Sequence, residues 1–211
     1  MTNVIFPKLL PIVRDVVLGP DELVEFELII ATPYEEGKIK GPVNLAKNNE
    51  NQLIEIFKRV HPDDWVFAAW RNHYHALLHG VDSEVLTDSI SSGSSMGTNS
   101  VNPRFYASSI VGGIIPIALG AALALKRKIS DRKVWCFVGD MTARTGIFHE
   151  AHEYAKSFKL PIQWVIEDNG ISVHTPTEEA WGSSIVIPDD VVYYKFDLGY
   201  PHHGTGKWVN F

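Results

Sequence analysis

Two neighbouring apolar runs in this chain end on groups that bind hard cations. Val134-Trp-Cys-Phe-Val138 closes on Gly139-Asp140, and Ile162-Gln-Trp-Val-Ile166 closes on Glu167-Asp168-Asn169-Gly170. A carboxylate at 140 and a carboxamide at 169 are oxygen ligands of the kind Mg2+ takes. Between the two runs, Gly146 to Lys159 carries Phe148, Ala151, Ala155 and Phe158 at helical spacing. Strand, helix and strand then make a parallel unit, and in an open parallel sheet ligands collect beyond the carboxyl ends of the strands. Asp140 and Asn169 are therefore expected to face one volume, where a magnesium ion most often holds a diphosphate.

Further elements must carry these residues. Pro20-Asp-Glu-Leu23 reads as a helix start, with proline in the first turn and acids beside the dipole. Residues 48–60 form an amphipathic helix through Leu53, Ile56, Phe57 and Val60. His61 to Asp64 is a turn, Trp65 to Ala68 a short strand, and a helix runs from Trp70-Arg71-Asn-His73 to His79-Gly80. Ser89 to Asn102 has no periodicity and reads as a loop. Ile110 to Lys128 is a helix apolar on nearly every side, which buries within the molecule or beneath a partner. Val191 to Phe196 is a last strand candidate, followed by Pro201-His-His-Gly204. The whole, 1–211, reads as one domain, with 1–40 and 185–211 as appendages.

Composition excludes several classes. The 211 residues are 45% hydrophobic and 21% charged, as in an ordinary globular protein. A net charge of −6 without a basic stripe speaks against nucleic acid. The apolar run Ile114 to Leu125 falls short of the about 20 residues that span a bilayer. Pro7 and Pro11 interrupt the N-terminal apolar residues, so no secretory leader is expected. The one cysteine, Cys136, forms no disulfide within the chain and suits a reducing cytoplasm. His75 and His79 stand at i, i+4 and admit a zinc site, with helix packing as the alternative.

Asp140 and Asn169 with their intervening helix resemble the thiamine diphosphate motif, a Gly-Asp-Gly followed by roughly thirty residues and an asparagine. Phe148-His-Glu-Ala151, Lys159-Leu-Pro-Ile162 and Ile171-Ser-Val-His-Thr-Pro-Thr-Glu-Glu179 resemble the alpha subunit of 2-oxoacid dehydrogenase E1 enzymes. So do Ser95-Met96, Ile110-Val-Gly112 with Pro116, and Trp70-Arg71-Asn-His73, similar to the family's Tyr-Arg-x-His. The resemblance covers about residues 41–182.

It implies an α/β fold, a three-layer open, mainly parallel sheet with helices on both faces. It implies thiamine diphosphate and Mg2+ as cofactors, the metal held by Asp140, Asn169 and the Ile171 carbonyl. Trp70, Arg71, Ser109, Val111, Gly139, Met141, Thr142 and Ser172 complete the cofactor site. Arg71 meets the diphosphate and the Val111 carbonyl the aminopyrimidine. His202, His203 and His73 are the candidate catalytic residues.

Three departures stand out. Met141 replaces the second glycine of the motif, Ser109 replaces another glycine, and Ile171 replaces an aromatic residue. Arg144 is expected to offset Met141 by reaching a phosphate. The family's N1′ glutamate lies in a separate pyrimidine-binding domain, so the chain is expected to work with a beta-like subunit, as a dimer or an α2β2 heterotetramer. The implied reaction is 2-oxoacid decarboxylation and acyl transfer. The alternatives are a split transketolase-like subunit acting on a ketose, and a non-catalytic thiamine diphosphate-binding protein.

Overall fold

A computed structural model describes residues 3–7 and 10–210. In chain order the elements are α1 (Pro20–Glu35), α2 (Glu50–Phe57), β1 (Trp65–Ala68), α3 (His73–His79), α4 (Ser83–Ser91), β2 (Asn99–Ser100) and β3 (Phe105–Ala107). There follow α5 (Ile114–Arg127), β4 (Val134–Gly139), α6 (Asp140–Ala143), α7 (Gly146–Ser157), β5 (Ile162–Asp168), β6 (Ile171–Ser172), β7 (Thr175–Pro176), α8 (Thr177–Trp181) and β8 (Val192–Lys195).

The main sheet runs β2-β3-β1-β4-β5-β8, parallel throughout except for the β2 edge. Strands buried on both faces need apolar residues at every position, and β4 supplies them. Trp135 and Phe137 face one core with α1, α2 and α3, while Val134, Cys136 and Val138 face another with α5 and α7. This is the three-layer α/β architecture that the sequence implied.

The chain leaves β1 for β3 on one side and returns to β4 on the other, so the winding reverses between β1 and β4. The crevice at such a reversal, beyond the carboxyl ends, is where open sheets bind ligands. Register aligns the relevant ends: Ala68 pairs with Ala107, and Gly139 with Glu167. Asp64 fixes the opposite edge, accepting from Lys133 N at 2.8 Å and Trp135 Nε1 at 3.0 Å.

Some boundaries differ from those read in the sequence. The stretch taken as a loop from Ser89 begins inside α4, whose N-terminus Asp82 caps through Glu84 N and Val85 N. Helix α1 puts Leu23, Phe26 and Ile30 into the core, and β8 extends the sheet. Helix α5 begins at Ile114 and buries one face, leaving Ile117 45% exposed, while Ile110 and Val111 in the turn before it are 70% and 59% exposed. Among the described residues no helix is long and apolar enough to cross a membrane. None of their His, Cys, Asp and Glu side chains forms a metal-binding group of three or more. The zinc alternative fails because His75 turns to Glu167 and His79 to the Asp64 carbonyl.

His79 is 2% exposed, and burial, then Arg14, lowers its pKa from 6.5 to about 4. The unfolded chain takes up that proton first, so this contribution to stability is present above pH 6.5 and lost as pH falls toward 4. The effect is roughly 3 kcal/mol at full extent. Thermal unfolding midpoints between pH 7 and 4 should fall less steeply in His79→Gln than in the wild type; parallel curves would contradict this.

Candidate active site

Four of the expected residues converge at the switch point. Trp70 and Arg71, in the turn after β1, line a crevice of about 50 Å3 with Gly139 and Asn169. Asn49 and Glu167, absent from the sequence-based set, line it too. A Cβ built at Gly139 would meet nothing within 4 Å, so backbone and crevice are open to each other there.

Arg71 carries the cation. Its Nη2 donates to the His202 carbonyl at 2.9 Å, and its buried Nε has no partner in the protein. Burial pulls its pKa below the ordinary value, while Glu167 and Glu27 act the other way. An arginine keeps its proton throughout, so this is a fixed positive charge with one uncommitted N–H.

The turn holding Arg71 is braced from beneath. Asn72 Nδ2 donates to the Ser95 carbonyl at 2.9 Å. His73 lies between Glu27 Oε1 at 3.1 Å and Ser95 Oγ at 3.0 Å, with its side chain 0% exposed. Burial raises the Glu27 carboxyl. His73 therefore reaches no ligand space in this structure.

Asp140 and Asn169 do not face one volume as expected. Asp140 lines a second cavity of about 390 Å3 with Asp168, Thr177, Tyr193 and Lys195. Its Oδ2 accepts from the Thr177 hydroxyl at 2.5 Å, which turns the carboxylate toward α8. Burial, and then the charge of Asp168, raise its pKa against the lowering by Thr177. Asn169 Oδ1 accepts from Ile171 N at 3.1 Å in a local turn. Ile171 is 37% exposed and pairs with Pro176 in the β6–β7 hairpin, while Ser172 pairs with Thr175.

Met141 leaves the crevice free. It sits inside α6 without positive φ, and its Sδ lies 2.9 Å from Trp181 Nε1. Thr142 is buried in α6, where its carbonyl accepts from Thr145. Ser109 and Val111 are exposed before α5 and line neither cavity.

Of the tail histidines, His202 is the nearer to the crevice. Its carbonyl takes Arg71 and, at 2.6 Å, Asn44 Nδ2. Its ring lies 6.1 Å from Trp70, edge on, and burial and then Arg71 lower its pKa. His203 is exposed and touches His202 at 6.1 Å.

The two added residues belong to a network that short motifs do not reveal. Glu167 Oε1 accepts from His75 Nε2 at 3.0 Å and from the Tyr194 hydroxyl. Tyr194 accepts in turn from Asn49 Nδ2 at 3.2 Å. Only Glu167 carried a sequence signal, through its place before Asp168-Asn169.

A match to the Dehydrogenase E1 component family spans residues 21–193. The chain belongs to that family. It is 33% identical to a pyruvate dehydrogenase E1 component subunit alpha of Porphyra purpurea, over 77% of this chain and 51% of the relative. It is 29% identical to the alpha subunit of an acetoin:2,6-dichlorophenolindophenol oxidoreductase of Bacillus subtilis, over 75% and 51%. With a Zymomonas mobilis pyruvate dehydrogenase E1 alpha subunit the identity is 28%, over 76% and 51%. The chain spans about half the length of the curated relatives it matches.

The Arg144 expectation is corrected. Its Nη1 donates to the Ser183 carbonyl at 2.6 Å, its Nη2 to Ser183 Oγ at 2.9 Å, and its guanidinium stacks on Trp181. Arg144→Ala should leave affinity for Mg2+–pyrophosphate unchanged in calorimetry and cost about 1 kcal/mol in thermal unfolding. A tenfold loss of affinity would show instead that Arg144 reaches the ligand.

Proposed function

We propose that this chain is the diphosphate-binding, alpha-like subunit of a two-chain thiamine diphosphate enzyme that decarboxylates a 2-oxoacid and transfers the acyl fragment. The observation that carries the reading is Arg71, a buried cation with an uncommitted N–H at the switch-point crevice of an E1-family fold. Such a group needs an anionic oxygen, and a diphosphate supplies several.

The donor set fits the cofactor's diphosphate end. Arg71 takes the diphosphate oxygens, and Gly139 leaves its backbone accessible beside them. Asp140, the Asn169 side chain and the Ile171 carbonyl would hold Mg2+, which requires the Asp140 carboxylate to turn from Thr177 and the second cavity toward Asn169. Trp70 walls the crevice. Of the three candidate histidines, His202 would lie nearest the diphosphate, through its contacts with Arg71 and Trp70. His73 and its Glu27–Ser95 brace serve the turn that presents Arg71. Ser109, Val111, Met141, Thr142 and Ser172 line neither cavity, and would meet the cofactor only in the site that the partner completes.

Thiamine diphosphate, when bound, would supply the electron sink that a 2-oxoacid decarboxylation needs. The glutamate that faces the aminopyrimidine would come from a beta-like partner with the pyrimidine-binding domain. The open start of α5, with Ile110 and Val111 exposed, is where that partner closes the site. The assembly is an α2β2 heterotetramer or a dimer, and a buried Cys136 suits the cytoplasm. Relatives named for pyruvate and for acetoin bracket the substrate as a small 2-oxoacid or hydroxyketone.

Calorimetric titration of thiamine diphosphate with Mg2+, alone and with a beta-type partner, tests the reading. Asp140→Ala should abolish Mg2+-dependent binding with the circular dichroism spectrum intact. Arg71→Ala should weaken binding by about tenfold or more. Turnover of a 2-oxoacid should need the partner. Absence of binding in both formats would sink the proposal.

A further inference from the structure

The hydrogen bonds around Asn49 fix the orientation of its amide. Asn49, at the N-cap of α2, is 3% exposed and lines the crevice beside Arg71. Glu167 Oε1 collects His75 Nε2–H and the Tyr194 hydroxyl, so the single phenol proton is committed. The Tyr194 oxygen then only accepts, and Asn49 presents Nδ2 to it. The reverse orientation would set two acceptors against each other. Asn49 Oδ1 is left buried without a donor.

Native proteins satisfy nearly all buried polar atoms, and an exception beside a ligand crevice points to the ligand. Arg71 and Asn49 line the same crevice, and each holds a buried, unpaired polar atom: a donor in Arg71 Nε and an acceptor in Asn49 Oδ1. A bare diphosphate answers only the first, because its oxygens accept. Water coordinated to a divalent cation is a donor, since its lone pair is held by the metal. We propose that Asn49 is a further binding residue, its Oδ1 accepting a hydrogen bond from a water on the cation that accompanies the diphosphate. The inference rests on the reading of the crevice as a metal–diphosphate site. The His75–Glu167–Tyr194 network then holds the Asn49 amide the right way round.

The test is calorimetry with pyrophosphate, with and without Mg2+, on the wild type, Asn49→Leu and Tyr194→Phe, each checked for folding by circular dichroism. Asn49→Leu keeps the volume and removes the acceptor. It should weaken Mg2+–pyrophosphate binding about tenfold and leave binding of metal-free pyrophosphate unchanged. Tyr194→Phe frees the amide to rotate and should weaken the magnesium form about threefold. Equal affinity of wild type and Asn49→Leu for Mg2+–pyrophosphate overturns the inference and leaves the crevice reading standing. So does an equal loss with and without metal. If Asn49→Leu does not fold, Tyr194→Phe decides alone, and unchanged Mg2+–pyrophosphate affinity in it overturns the inference. A wild type that binds pyrophosphate in neither form removes the crevice reading, and Asn49's role with it.

Discussion

A carboxylate in a protein interior has to be met by donors or by a cation, and Glu167 is the point where this chain meets that demand. It stands at the carboxyl end of β5 opposite Gly139, with β4 between it and the strand whose following turn carries Arg71. His75 from α3 and Tyr194 from β8 both donate to it, and its charge acts on Arg71. One side chain thereby ties the helix behind β1, the far edge of the sheet and the crevice cation into a single electrostatic unit. A charge-assisted bond of this kind is roughly twice as strong as a neutral one. The positions of Asn49 and Arg71 follow from it.

The same demand explains why Arg71 is held but not used up. The turn is braced through Asn72, His73 and Ser95, and one guanidinium nitrogen is spent on the His202 carbonyl. Nε remains buried and unpaired in a residue that lines the crevice. A backbone carbonyl offers a partial negative charge where a phosphate oxygen offers a full one, so the tail contact is the weaker of the two bonds Arg71 is able to make.

Much of this was legible in the residues themselves. Strands β4 and β5 read as continuous apolar runs because both faces are covered, and α7 between them shows helical spacing. Trp70, Arg71, Gly139 and Asn169 were placed by short motifs and do meet. Helix α4 was missed because only Leu86 and Ile90 are buried along it, too few to give a period in a serine-rich stretch. His73 matched a motif, yet nothing local in its sequence shows that Glu27 and Ser95 seal it. The turning of Asp140 toward Thr177, and the Asn49–Tyr194–Glu167 chain, depend on partners separated by 37, 145 and 27 residues. Such contacts arise from sheet order, which motif spacing does not encode.

The central claim is that the crevice between the ends of β1, β4 and β5 takes the metal-bound diphosphate of thiamine diphosphate. A crystal structure of the chain with thiamine diphosphate and Mg2+ tests it most directly. The account predicts diphosphate density beside Arg71, with the metal on Asp140 and Asn169. Diphosphate density in the Asp168–Tyr193–Lys195 cavity, or none in either place at saturating cofactor, would contradict it.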